Sequence, residues 1–166
     1  MAWLVVLLVW LTACSLPPDP IPGPREPGRD SVGYYCGMTL AEHAGPKGQI
    51  HVAGTHNPLW FSSVRDTFVY LQTESTARRI LAVYVNDMGH AEWDHPPPGT
   101  WIAAQKAWFV TGSPQRGSMG EQEIIPFGER PLAEQFAQQH GGAVVSYSTV
   151  LKEALSTSGI DPGGQR

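Results

Sequence analysis

Four side chains in this sequence could hold a soft metal ion. Cys36 and Met38 flank Gly37 in the stretch YYCGMTLAEHAGPKGQI, residues 34–50, and His43 follows in the same stretch. In an extended segment, residues two apart share a face, so a thiolate at 36 and a thioether at 38 could converge on one ion. The alternative for this pair is plain core packing, in which methionine and cysteine both serve well. Met119 stands in RGSMGEQE between Gly117, Ser118, Gly120 and Glu121. It has little local apolar surface to pack against, so contact with another part of the fold or with a metal is expected. One thiolate, one or two thioethers and an imidazole form a soft donor set that favours monovalent copper, Cu(I), over zinc or calcium. A structural zinc site would call for paired Cys or His spacings that this chain lacks. His90 and His95, with Met88 and Asp94 in NDMGHAEWDH, form a weaker candidate set for a divalent ion. His51 and His56 read as surface or structural residues.

The apolar run AWLVVLLVWL after Met1 is too short to span a membrane as a helix and fits the core of a secretory signal. Leu11-Thr12-Ala13-Cys14 follows directly and resembles the lipobox of bacterial lipoproteins, in which the cysteine is acylated and becomes the mature N-terminus. Ser15, a non-acidic residue after it, resembles the signal for passage to the outer membrane. With Cys14 consumed by lipid, Cys36 has no partner for an intramolecular disulfide. A free thiol outside the cytoplasm is suited to intermolecular pairing, redox chemistry or metal binding, with burial as an inert core residue the alternative.

These residues need a scaffold, and the chain of 166 residues with a formal net charge of -4 has apolar content for one core. It carries no Lys/Arg cluster able to neutralise several phosphates, which argues against nucleic acid as a partner. Residues 16–30, LPPDPIPGPREPGRD, read as a stiff tether. At about 3.1 Å per residue it could hold the folded part roughly 45 Å from the acylated end.

Beyond the tether one pattern runs twice. In the first pass SVGYYCGM and QIHVAG read as a hairpin turning through Gly45-Pro46-Lys47-Gly48, and Phe61, Val64, Phe68 and Leu71 recur at helical spacing. Ser63-x-x-Asp66 predicts a helix start, giving a helix over about 63–73, and RRILAVYVND predicts a buried strand. The second pass runs through WIAAQKAWFVTG and GSMGEQEIIPF to a helix near PLAEQFAQQH, with Pro131 in its first turn and Gly141 as its cap. AVVSYSTV then repeats the closing strand, and VLKEALSTSG adds a last amphipathic turn or two. HPPPG links the passes. The expected fold is α+β, two homologous ββαβ-type units packed together. The domain reading is a signal peptide at 1–13, a lipidated tether at 14–32, a first unit at 33–95, a second at 96–158 and a disordered tail at 159–166.

The lipobox, CGMTLAEHAGPKGQI, WFSSVRDTFVYL, YVND, AWFV, SMGEQEIIPF and FAQQHGG, in that order, resemble the NosL family, copper-binding lipoproteins accessory to nitrous oxide reductase. The resemblance covers almost all of the mature domain. It implies two ββαβ units related to the organomercurial lyase fold, and no enzymatic activity. It also implies the carriage of Cu(I) in the periplasm to the copper-sulfide centre of the reductase, with an ABC-type maturation system as a further partner. Carried over to this chain, it makes Cys36 and Met119 the leading ligands, with Met38 and His43 at motif positions. Two other functions fit a lone thiol: a copper-storage lipoprotein and a thiol redox protein, the latter lacking the usual second cysteine.

Overall fold

The structure, a computed structural model, describes residues 20–74 and 77–153. The apolar leader, Cys14 and the tail at 159–166 lie outside the described residues.

The first strand, β1 (Gly48–Val52), sits between β2 (Leu59–Phe61) and β3 (Ile80–Asn86), and β4 (Trp101–Ala103) extends the sheet beyond β3. All pairings are antiparallel: Gln49 lies opposite Trp60 on one side and Tyr84 on the other. Helix α1 (Val64–Thr73) connects β2 to β3. The second sheet repeats the arrangement, with β5 (Trp108–Thr111) between β6 (Ile125–Phe127) and β7 (Ala143–Ser146), and helix α2 (Arg130–His140) before β7. Helix α3 (Tyr147–Glu153) follows. The ββαβ order therefore occurs twice with the same strand arrangement, as the sequence pattern predicts.

Both connecting helices begin and end for local reasons. Ser63 caps α1 by accepting the backbone N–H of Asp66 at 3.2 Å, which frees the helix start from unsatisfied donors. Pro131 stands in the first turn of α2, and Gly141 leaves it at φ 78°, a value that costs glycine little. Helix α1 turns Val64, Thr67, Phe68 and Leu71 inward. It lies so close to β1 that a Cβ on Gly48 would stand 1.9 Å from Thr67 Oγ1.

One core spans both units. Phe68 meets the ring of Phe109 edge-on at 5.2 Å and that of Tyr147 at 5.5 Å. Phe109 joins this core, whereas its neighbour Val110 joins the second core with Ile125, Phe127 and Ala133. The two-residue period of a strand thus sends the two faces of β5 to different cores. Asp87, just after β3, ties the halves by accepting the backbone N–H of Gly128 at 2.9 Å.

Several local expectations change. SVGYYCGM forms no strand: residues 34–36 make a turn, Val32 and Thr39 share an isolated bridge, and β1 takes β2 and β3 as partners instead. WIAAQKAWFVTG is broken by a 3-10 turn at Ala104–Lys106 into β4 of the first sheet and β5 of the second. The strand expected across AVVSYSTV stops at Ser146, where α3 begins. The proline-rich stretch does not stand off the body in its described part. The buried side-chain amide of Gln49 pairs with Arg25 as a strand partner would, accepting its N–H at 2.9 Å and donating to its carbonyl at 3.0 Å. Tyr84 donates to the carbonyl of Pro22, and Glu26 accepts from Gly99 N and Trp101 Nε1. Residues 22–26 of the expected tether are thus part of the folded body. Among the described residues no helix is long and apolar enough to cross a membrane.

Candidate metal centre

Cys36 sits at the tip of a tight loop. Gly33 N–H donates to the Met38 carbonyl and Gly37 N–H to the Gly33 carbonyl, both at 2.9 Å. Gly37 takes φ 66°, a left-handed conformation that favours glycine. That turn, rather than a strand, sets Cys36 and Met38 relative to one another. Tyr34 N–H donates to the Trp60 carbonyl at 2.7 Å, pinning the loop beside β2. The hydroxyls of Tyr34 and Tyr35 donate to the two oxygens of Glu74, each at 2.9 Å, fastening it to the end of α1. These bonds raise the Tyr34 phenol above its ordinary range. The Tyr35 phenol is raised as well, by burial first and by Glu74 second.

The half-buried Cys36 thiol lies 3.6 Å from His43 Nε2 and 3.5 Å from Ser62 Oγ. His43 is buried at the end of the 3-10 turn Leu40–Glu42. Its carbonyl and that of Gly45 accept hydrogen bonds from the Lys47 ammonium at 2.6 and 2.5 Å. Burial lowers Lys47 to about 8. The His43 backbone is therefore held from behind while its ring faces the thiol. Gly33 keeps room for that thiol, since a Cβ there would come within 2.6 Å of Cys36 Sγ.

The geometry suits a small soft ion. With metal–sulfur and metal–nitrogen bonds of about 2.3 and 2.0 Å, a sulfur and a nitrogen 3.6 Å apart subtend an angle of about 110° at a shared ion. Such an angle leaves a third position open. Met38 and Met119, with relative exposures of 40% and 54%, are thioethers on the surface rather than in a core. No three His, Cys, Asp or Glu side chains among the described residues are arranged to hold a metal, which leaves these two methionines as the remaining candidate soft donors of this chain.

Met119 belongs to the other half of the chain, on a turn closed by Gly120 N–H donating to the Gly117 carbonyl at 3.0 Å. Both halves converge on the start of α1. Ser62 touches Cys36, and the neighbouring Ser63, together with Arg65 N–H, donates to Glu123, four residues after Met119. In NDMGHAEWDH the structure separates the candidate donors. Met88 packs in the second core, and Asp87 accepts from Gly89 N–H and His90 Nδ1. His51 is buried and bonded to Gln49 at 2.9 Å, beneath the docked segment.

Sequence reasoning missed Ser62, Glu74, Lys47 and Glu123. The pair of serines in WFSSVRD was a visible signal, because the second caps the helix and the first must face elsewhere. Nothing local distinguishes Glu123 or Lys47 from a solvated charge.

The NosL family model matches residues 24–155. The chain is 39% identical over 160 residues to the copper-binding lipoprotein NosL of Achromobacter cycloclastes, covering 95% of this chain and 82% of the relative. It is 33% identical over 130 residues to the protein of the same name from Stutzerimonas stutzeri, covering 74% and 65%. The crystal structure of the copper chaperone NosL from Shewanella denitrificans superposes with a TM-score of 0.69 at 34% identity, over 76% of this chain and 96% of that one.

Proposed function

The chain belongs to the NosL family, and from that membership and the Cys36 loop we propose that it is a copper chaperone that binds Cu(I). The observation that carries this reading is the thiol–imidazole pair of Cys36 and His43 at 3.6 Å beside a surface methionine. Cys36 supplies most of the affinity as a thiolate, whose proton the bound cation displaces. His43 is the second ligand. Met38 and Met119 are the exchangeable ones, weak enough to be replaced by an incoming donor from the recipient. A low-coordinate site at the surface releases its ion through a shared-ligand intermediate, which a closed cage would prevent.

The recipient, in this proposal, is the assembly pathway of the copper-sulfide centre of nitrous oxide reductase, reached with an ABC-type maturation complex. The protein faces the periplasm, anchored through acylated Cys14, with the outer membrane as its site. It performs no catalytic turnover. The domain limits read from the sequence belong to the same proposal with two changes: the first unit extends through β4, and the tether ends ahead of the docked residues 22–26.

Copper-loaded protein prepared without oxygen should show one ion per chain by native mass spectrometry. Cys36→Ser should lose binding by more than about a hundredfold in competition with a chromogenic chelator, because a hydroxyl is too hard and too weakly acidic to replace a thiolate. Several ions per chain would favour storage, and unchanged affinity in the serine variant would remove Cys36 from the site.

A further inference from the structure

Behind the Met119 turn lies a second group of donors, hard rather than soft. Glu123 is 1% exposed, and all its hydrogen bonds fall on one oxygen. Oε1 accepts from Ile124 N–H at 2.9 Å, Arg65 N–H at 3.1 Å and Ser63 Oγ at 3.4 Å. Oε2 has no partner among the described residues, and neither has the buried Oε1 of Glu121 or Oγ of Ser118. The two orphaned carboxylate oxygens face one point. The position that a side chain on Gly117 would occupy is 2.6 Å from Glu121 Oε1 and 2.8 Å from Glu123 Oε2. Because residue 117 is glycine, that space stays open.

Such an arrangement is costly if nothing fills it. A buried carboxylate oxygen without a donor loses its hydration with no return, and two of them side by side repel. Lys47, whose charge reaches Glu123, spends its ammonium on the His43 and Gly45 carbonyls, and Arg116 donates to the Gly120 carbonyl of the turn. Asp66, in the first turn of α1, adds a third carboxyl to the neighbourhood. Burial raises it to about 6 with Glu121 contributing, and burial raises Glu123 to about 8. A proton on Glu123 is one way to neutralise the pair. A cation between the two oxygens is another.

We propose that Glu121 and Glu123 form a binding site for a hard divalent cation of the magnesium, calcium or manganese class, seated beside Gly117 and separate from the Cys36 centre. Two carboxylate oxygens, completed by water, are the oxygen donors such ions take. Glu123 also lines a hollow of about 220 Å³ with Arg65 and Gln122, which brings water to its side of the pair. The ion would brace the turn that carries Met119, because Gly117, Ser118 and Glu121 are its own residues. The site does not depend on copper binding.

The test uses Mn²⁺ alone with the copper-free protein, following the loss of the free-ion signal in electron paramagnetic resonance. One saturable site per chain is expected, with a dissociation constant below about 1 mM, the weak end of extracellular sites of this kind. Glu121→Gln and Glu123→Gln should each weaken it by about tenfold or more. The glutamine amide oxygen at 123 can still accept the three donors on Oε1, and Glu121 is only half-buried, so a folded variant is available from one or the other. Cys36→Ser should bind Mn²⁺ as the parent does, which separates this site from copper. No saturable binding, or equal binding in both glutamine variants, would overturn the proposal and leave a shared proton as the occupant.

Discussion

The thiol of Cys36 and the buried ring of His43 face each other at 3.6 Å, the thiol carried by a glycine-hinged loop and the ring by a turn held from behind by Lys47. The two candidate ligands are thus positioned by separate devices.

Substitution of His43 tests the pairing. His43→Gln keeps the backbone carbonyl that Lys47 binds but replaces the imidazole nitrogen, so the fold should survive. Cu(I) affinity should fall by at least about tenfold. Chelator competition measures this, with circular dichroism as the check on folding; parental affinity would assign the second ligand elsewhere.

Gly33→Ala attacks the thiol without touching a ligand. Its Cβ would stand 2.6 Å from Cys36 Sγ and 3.6 Å from Ser62 Cβ, so the cysteine side chain must turn away from His43. Copper affinity should drop while the melting temperature of the metal-free protein stays near the parent's. A variant that binds copper normally would show that the loop tolerates a different thiol position.

At Met119 the sulfur can be removed while the volume is kept. Met119→Leu should cost less than about 1.5 kcal/mol of stability, and at 54% exposure the side chain has little packing to lose. Copper transfer to a recipient should slow or lose completeness. If loading, release and reductase activation in cells all match the parent, Met119 is an apolar surface contact and the centre closes through Met38 and His43.

The stability of the metal-free protein should depend on pH in an unusual direction. Asp66 and Glu123 have raised values in the folded chain, about 6 and about 8, chiefly from burial. The folded state therefore holds their protons more tightly than the unfolded state does, and stability falls as pH rises through each window, from about 4 to 6 for Asp66 and up to about 8 for Glu123. Lys47, lowered to about 8 from 10.5 by burial, acts oppositely above that pH, since the unfolded chain then holds the extra proton and stability rises. Urea unfolding between pH 5 and 8 should show a decline that Glu123→Gln flattens; an identical slope in that variant would mean Glu123 does not titrate there.

What the sequence determined by itself is whatever neighbours within a turn or two decide. Ser63 with Asp66, the spacing of Val64, Phe68 and Leu71, and Pro131 with Gly141 specify two helices. The flanking strands follow, and with them the repeated ββαβ order. The soft donors at 36, 38, 43 and 119 were visible as residue types. Their arrangement was not. The positive φ of Gly37 and the anchoring of Tyr34 and Tyr35 on Trp60 and Glu74 turn the Cys36 segment out of the strand that its β-branched and aromatic residues suggest. Gln49 draws the proline-rich segment onto β1 because a buried amide must find partners. Glu123 is buried only because three donors from the start of α1 and its own strand approach happen to meet it there. Each of these depends on groups that are distant in the chain and compete for burial, so only the tertiary structure could decide them.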